Sequence, residues 1–216
     1  SKTHVASMAD NDFFANEASI TISSNQAGEA QIQFIDDLGG KKVLKESIVL
    51  QEGEIIDSTF MSIKELRSFL KTEIKDAKET GLLFSLHIKA TMMKVADPII
   101  FGHTVSVFIE DFLFKHKETL RALGFEPNNG LGELELKIAS LPDDKREVVL
   151  KDFEDTLSAG PQLYMVNSDK GITNLHVSSD VIIDASMPAL IRAGGKAWGP
   201  DGKEKDTKCV IPDNSY

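Results

Sequence analysis

The chain has 216 residues, of which 41% are hydrophobic and 27% are charged, and its formal net charge is −10. This composition is typical of a globular protein with one large domain or two small ones. The acidic balance argues against a nucleic-acid partner, because binding phosphates requires clustered Lys and Arg. No apolar run approaches the roughly 18 to 20 residues that cross a bilayer, so we expect no membrane partner. The single cysteine, Cys209, excludes an internal disulfide, favours a cytoplasmic location and is expected to be inert.

The N-terminal stretch favours β-structure. Apolar and polar residues alternate over residues 18–22, 30–35 and 46–50, and glycines at positions 28, 39, 40 and 53 mark turns. The pattern predicts three short antiparallel strands.

Helix signals begin after this stretch. Ser62 and Glu65 have the spacing of a capping box, which predicts a helix from Ser62 to Gly81. Residues 82–88 form an apolar run with the length of a buried strand. Pro98 then suits the first turn of a long helix that continues to about Ala122. We expect Gly124 to end it.

The remainder is predicted to alternate helices and strands. Two helices are expected over residues 131–139 and 143–157, divided at Pro142, followed by a strand pair over 163–166 and 173–177. Ser179 is placed to cap a last helix that runs toward Arg192. From Gly194 onward, the Gly, Pro and Lys content predicts a surface loop. The whole is an α/β pattern, a mixed sheet with packed helices, without a clean domain boundary.

Lys89 is the first residue that could carry chemistry. It ends an apolar strand, where its side chain would project into a crevice at the edge of the sheet. A partly buried ammonium group can transfer a proton or hold a carboxylate. The alternative is a solvated lysine at a strand end. Lys94 would face the opposite way if the strand continued.

Asp184 is the second candidate. It follows Asp180 by four residues, so a helix would place both carboxylates on one face, where they could bind a hard divalent cation. The alternative is that both acids stabilise the start of a helix. The five histidines share no ligand spacing, and His87 is expected to be a core or surface residue. The chain has no glycine-rich nucleotide fingerprint.

Long motifs around these two residues carry a family resemblance. Residues 85–103 (SLHIKATMMKVADPIIFGH), 176–192 (HVSSDVIIDASMPALIR) and 206–216 (DTKCVIPDNSY) closely resemble monomeric NADP-dependent isocitrate dehydrogenase. Residues 5–8 and 12–14 fit as well, so the resemblance covers essentially the whole chain. Members of that family are much longer, and the chain begins without Met. We therefore expect residues 1–216 to be an interior part of the large domain.

The resemblance implies oxidative decarboxylation of isocitrate to 2-oxoglutarate with reduction of NADP, dependent on Mg²⁺ or Mn²⁺. It implies a lobe of the isocitrate/isopropylmalate dehydrogenase-like fold. The fainter likeness to dimeric isocitrate dehydrogenases assigns a catalytic lysine to Lys89 and a metal-ligand aspartate to Asp184. Ala90 and Thr91 depart from the Gly and Asn of the dimers, so a cofactor contact at those positions is not implied. The residues of the NADP pocket stay unassigned.

Two alternatives remain beside the enzyme. The chain could be a free-standing binding or regulatory module that retains the fold without catalysis. It could also be a structural domain that self-associates through an exposed apolar face. The resemblance favours a part of the enzyme that is inactive in isolation, with isocitrate and NADP as partners of the full-length protein.

Overall fold

The computed structural model describes residues 1–89 and 95–215. In these two ranges we number the strands and α-helices in chain order. The strands are β1 (His4–Ala6), β2 (Ala18–Thr21), β3 (Gly28–Ile35), β4 (Lys41–Leu50), β5 (Ile55–Ser58), β6 (Leu83–Leu86), β7 (Met165–Asn167), β8 (Ile172–Thr173), β9 (Lys196–Trp198) and β10 (Glu204–Val210). The helices are α1 (Ile63–Thr80), α2 (Asp97–Phe108), α3 (Glu110–Lys115), α4 (Lys117–Leu123), α5 (Leu131–Ala139), α6 (Asp143–Ala159) and α7 (Ile183–Arg192).

A four-stranded mixed sheet forms the centre of the fold. β10 lies between β1 and β6 and is parallel to both, while β9 pairs antiparallel with its first residues. Phe84, Leu86 and Val210 join α1 in the main hydrophobic core on one face of the sheet. Leu83 and Cys209 join Leu190 of α7 in a smaller cluster on the other. The predicted α/β class with a mixed sheet and packed helices is therefore confirmed.

The prediction of a surface loop after Gly194 is wrong. This segment forms β9 and β10, and residues 207–210 of β10 are buried. Lys208 tolerates burial because its ammonium group binds Glu73 at 2.5 Å and also Asp76, both on α1. The buried charge of Lys208 is thus balanced by a helix that is distant in sequence, which local composition does not reveal.

The predicted N-terminal strands exist, but their arrangement differs from the prediction. They correspond to β2, which ends one residue earlier than predicted, and to parts of β3 and β4, and β1 and β5 were not predicted. β2 pairs with β5 and β3 pairs with β4, so the segment makes two separate two-stranded ribbons. The β3–β4 hairpin turns at Asp36, whose carboxylate accepts from the N–H groups of Leu38 and Gly40 at 2.9 and 2.7 Å.

α1 begins and ends where the sequence predicts. The Ser62 hydroxyl accepts from the Glu65 N–H at 3.3 Å, and Gly81 ends the helix with a left-handed φ of 71°. In a full capping box the Glu65 side chain would accept from the Ser62 N–H. Here that N–H donates to the Asn11 carbonyl at 3.0 Å instead. The start of α1 is therefore tied to the N-terminal segment.

The long helix predicted from Pro98 is divided into α2, α3 and α4. Single residues with φ of −113° and −106°, Ile109 and His116, separate the three segments. Each joint residue still makes hydrogen bonds of the helical pattern to both neighbouring segments, and Gly124 ends α4 with a φ of 64°. α5 matches its predicted range, and α6 extends two residues beyond its own, to Ala159. Among the described residues, no helix is both long and apolar enough to cross a membrane.

The segment before α7 also departs from the prediction. A short 3-10 helix covers Ser178–Val181, and α7 begins only at Ile183. Ser179 is therefore not its cap. The predicted strand pair is present but shorter, as β7 and β8.

Candidate functional site

The structure brings Lys89 and Asp184 together. Ile88 bridges to the segment before α7: its N–H donates to the Val181 carbonyl at 2.9 Å, and its carbonyl accepts from the Ile183 N–H at 2.8 Å. Lys89 follows Ile88 and Asp184 follows Ile183, and the side chains of Lys89 and Asp184 form a hydrogen-bonded ion pair. The pair lies at the carboxyl end of β6, the edge of a parallel sheet where binding crevices form.

This ion pair is open to solvent. The Lys89 side chain is 36% exposed and that of Asp184 is 50% exposed. The hydrogen bond from Lys89 lowers the pKa of Asp184, so the carboxylate stays ionised at neutral pH. The first turn of α7 adds the favourable end of a helix dipole to that negative charge. The site therefore presents an ammonium group and a carboxylate side by side, both within reach of a ligand.

The predicted pairing of Asp180 with Asp184 on one helical face is wrong. Asp180 lies in the 3-10 helix, outside α7. Burial raises its pKa, which His176 and the Val177 backbone only partly oppose. The two aspartates thus belong to different elements and different environments.

Asp184 could serve as one ligand of a divalent metal. Its ionised, half-exposed carboxylate has the chemistry that hard cations prefer, but such cations take about six oxygen ligands. Across residues 1–89 and 95–215, no group of three or more His, Cys, Asp and Glu side chains could hold a metal ion. The described part of the chain therefore fits one ligand of such a site rather than the whole.

A buried row of hydrogen-bonded side chains lies beneath the ion pair, and the role of this row was not predicted from the sequence. His87 is fully buried, its Nε2 lies 2.6 Å from the Ser85 hydroxyl, and its Nδ1 lies 2.6 Å from the Ser186 hydroxyl. Burial lowers the pKa of His87 to about 4, so the imidazole is neutral. The prediction left open whether His87 is a core or a surface residue, and the structure shows that it lies in the core. A polar Ser-x-His alternation inside an apolar run was the available signal.

Asn174 supports the same strand and was also missed. Its amide accepts from the Leu86 N–H at 3.2 Å and donates to the Leu86 carbonyl at 2.8 Å, as a neighbouring strand would. The end of β6 is therefore fixed by side chains as well as by β10. Lys94, Ala90 and Thr91 lie outside the described residues.

Cys209 lies on the face of β10 that packs against α7. It is buried, and burial raises the pKa of its thiol to about 11. A thiol in this environment is protonated and shielded, which agrees with the prediction that it is inert.

The fold and the site define an α/β protein that presents a lysine–carboxylate pair at the edge of a partly parallel sheet. The chain belongs to the monomeric isocitrate dehydrogenase family, whose model matches residues 1–216. The resemblance seen in the sequence motifs is thereby confirmed.

Named relatives agree with this membership. Over 216 residues the chain is 53% identical to the NADP isocitrate dehydrogenase of Azotobacter vinelandii. The identity is 51% to isocitrate dehydrogenase 2 of Colwellia maris and 48% to isocitrate dehydrogenase 2 of Mycobacterium tuberculosis. Each match covers 100% of this chain and 29% of the relative. The chain thus spans under a third of the length of these relatives.

Proposed function

We propose that this chain is part of an NADP-dependent isocitrate dehydrogenase, which oxidises and decarboxylates isocitrate to 2-oxoglutarate in the cytoplasm. We call the longer polypeptide that would carry it the parent protein, and we place residues 1–216 in the interior of its large domain. The observation that supports the proposal most is the Lys89–Asp184 pair. It joins the two family motifs at one sheet edge, in a chain that matches the family throughout.

Lys89 would act on protons and charge at the reacting centre. Its ammonium group is held by Asp184 and its side chain is 36% exposed, so it can donate a hydrogen bond to a bound substrate oxygen. A positioned ammonium group stabilises negative charge that develops on such an oxygen and can deliver a proton to it. We assign proton transfer to Lys89 for this reason.

Asp184 would contribute one carboxylate ligand and would keep Lys89 in place. The Mg²⁺ or Mn²⁺ ion that this family implies would supply Lewis-acid polarisation of substrate oxygens when bound. Because its pKa is lowered by Lys89, the carboxylate needs no deprotonation before it binds a cation. The other ligands of the cation would come from outside the described residues, and most of the NADP pocket would come from the rest of the parent protein.

The first test uses the parent protein with Lys89→Met and Asp184→Asn, assayed for isocitrate-dependent NADP reduction. We expect each variant to lower kcat by about 100-fold or more. Excess Mn²⁺ should restore part of the activity of Asp184→Asn, since a lost ligand weakens metal binding, but none of that of Lys89→Met. Asp180→Asn is the matched control and should stay within about threefold of the parent, because Asp180 lies in the 3-10 helix before α7 and is not a member of the ion pair.

The 216-residue chain alone gives a second test. We expect no isocitrate-dependent formation of NADPH by the purified chain, because its described part has no group of three or more ligand side chains that could hold the cation. A measurable rate from the chain, or full activity of both parent variants, would contradict the proposal.

A further inference from the structure

We infer that His87 is a positioning residue that ties β6 to α7 and thereby fixes Lys89 and Asp184 relative to each other. The inference rests on the proposed function of that pair. His87 precedes Lys89 by two residues, and Ser186 follows Asp184 by two. The 2.6 Å contact between His87 Nδ1 and the Ser186 hydroxyl therefore joins the two arms of the site directly beneath it.

The arrangement is built into the core rather than adjusted at the surface. Ser85 and His87 are fully buried, and Ser186 is 8% exposed. Ser85 is in register with Cys209 of β10, on the sheet face that α7 covers. A buried polar group that lost its partner would be costly, so each of these contacts is strongly maintained.

The backbone contacts alone do not orient α7. The Ile88 bridge fixes the chain up to Ile183, and Leu190 packs against the sheet about two turns later, so the bridge alone does not set the direction of the side chains in the first turn. The Lys89–Asp184 ion pair is too exposed to hold the helix, since solvent-exposed pairs contribute little stability. The His87–Ser186 contact lies about half a helical turn beyond Asp184 and sets the rotation of the first turn of α7.

If His87 had only a structural role, either of its two buried hydrogen bonds would be enough to support the site. Two substitutions distinguish such a role from positioning of α7. An Asn amide reaches the position of Nδ1, and a Gln amide reaches that of Nε2. His87→Asn therefore retains the bond to Ser186 on α7. His87→Gln retains only the bond to Ser85, two residues away in the same strand.

The experiment measures kcat and KM of the parent protein with each substitution, beside the exchange rate of the Ile183 amide hydrogen. We expect His87→Gln to lower kcat by about tenfold to 100-fold and to speed exchange at Ile183, because misplaced supporting groups cost activity on this scale. His87→Asn should stay within about threefold in kcat and leave this exchange unchanged.

Three further variants distinguish a loss of positioning from a general loss of stability. Ser186→Ala should reproduce His87→Gln, and Ser85→Ala should resemble His87→Asn. Ile138→Ala, a buried substitution on α5, should lower the melting temperature without changing kcat. Equal losses from Asn and Gln, or a loss of kcat in Ile138→Ala, would overturn the inference.

A different measurement shows whether the proposed function itself is wrong. A parent protein without isocitrate-dependent NADP reduction would refute the proposed activity. The exchange rate at Ile183 would still differ between His87→Gln and His87→Asn if the His87–Ser186 contact orients α7, and equal rates would refute that role of the contact.

Discussion

The buried imidazole of His87 makes stability depend on pH. Burial lowers its pKa to about 4, whereas a histidine in an unfolded chain titrates near 6.5. Because the unfolded state binds the proton more readily, this contribution to stability is fully present above about pH 6.5 and is lost as the pH falls toward 4. At about pH 5, we expect the free energy of unfolding to be lower by roughly 2 kcal/mol.

Urea unfolding of the chain at about pH 7.5 and about pH 5 measures this loss. His87→Asn keeps the contact with Ser186 and cannot titrate, so its stability should fall less over the same interval. Comparison with this variant removes the contribution of His103, whose pKa is also lowered by burial and by Arg67. Identical pH dependence in the two proteins would contradict the prediction.

The residues of the site were predictable one by one, but not as a group. Lys89 and Asp184 stand out because each lies in a long family motif, Lys89 after the apolar run that contains β6 and Asp184 in the first turn of α7. They are 95 positions apart, and their contact depends on the bridge at Ile88, which no local pattern encodes. Their proposed roles in catalysis stay predictions. Ser186 gave no signal, since a serine near a helix start is ordinary until its neighbour is known.

At the scale of elements, local signals placed α1, α5 and α6 well because caps, prolines and apolar periodicity act within a few residues. Sheet partners were harder to predict. β10 reads as a polar loop because of its lysines, yet it lies at the centre of the sheet, between strands from the N-terminal segment and from residues 83–86. β2 likewise pairs with β5 across the β3–β4 hairpin, and this pairing depends on tertiary structure rather than on a local sequence pattern.

The junction of β10 with α1 allows a test of how the central strand tolerates its charge. The Lys208 side chain is 4% exposed, while the side chains of Glu73 and Asp76 are 16% and 43% exposed. Burial opposes protonation of Lys208, but its bonds to Asp76 and Glu73 outweigh this and raise its pKa. Removing the two acids leaves a buried charge alone, whereas removing the lysine leaves acids that water can reach.

We therefore expect Glu73→Gln with Asp76→Asn to cost about 3 to 5 kcal/mol of unfolding free energy, and Lys208→Met to cost roughly 1 to 2 kcal/mol. Urea unfolding of the chain at neutral pH measures both values. Lys75→Met, which removes an exposed pair with Glu79 on the same helix, should change stability by less than about 0.5 kcal/mol. A larger loss from Lys208→Met than from the double variant would contradict this account.

At the scale of the whole molecule, the β3–β4 hairpin is the part least covered by the rest. Every residue of β3 except Ala30 is exposed, and so is most of β4. Exposed apolar side chains on it include Phe34 at 55% and Leu44 at 60%. A surface of this kind is typical of an interface. Because the chain spans 29% of its relatives, the remainder of the parent protein is the partner that we expect there.

Without that remainder, we expect the purified chain to self-associate through the hairpin. Sedimentation velocity should show a coefficient that rises with concentration, and added salt should strengthen association by screening the lysines of β4. Phe34→Thr with Leu44→Thr keeps the strands and removes apolar area, so this variant should sediment as a monomer. Phe114→Gln, which removes an 84% exposed phenylalanine from α3, should leave the association unchanged. A chain that stays monomeric at every concentration would contradict the prediction, whereas a monomeric parent protein beside an associating chain would favour the enzyme fragment over a free-standing module.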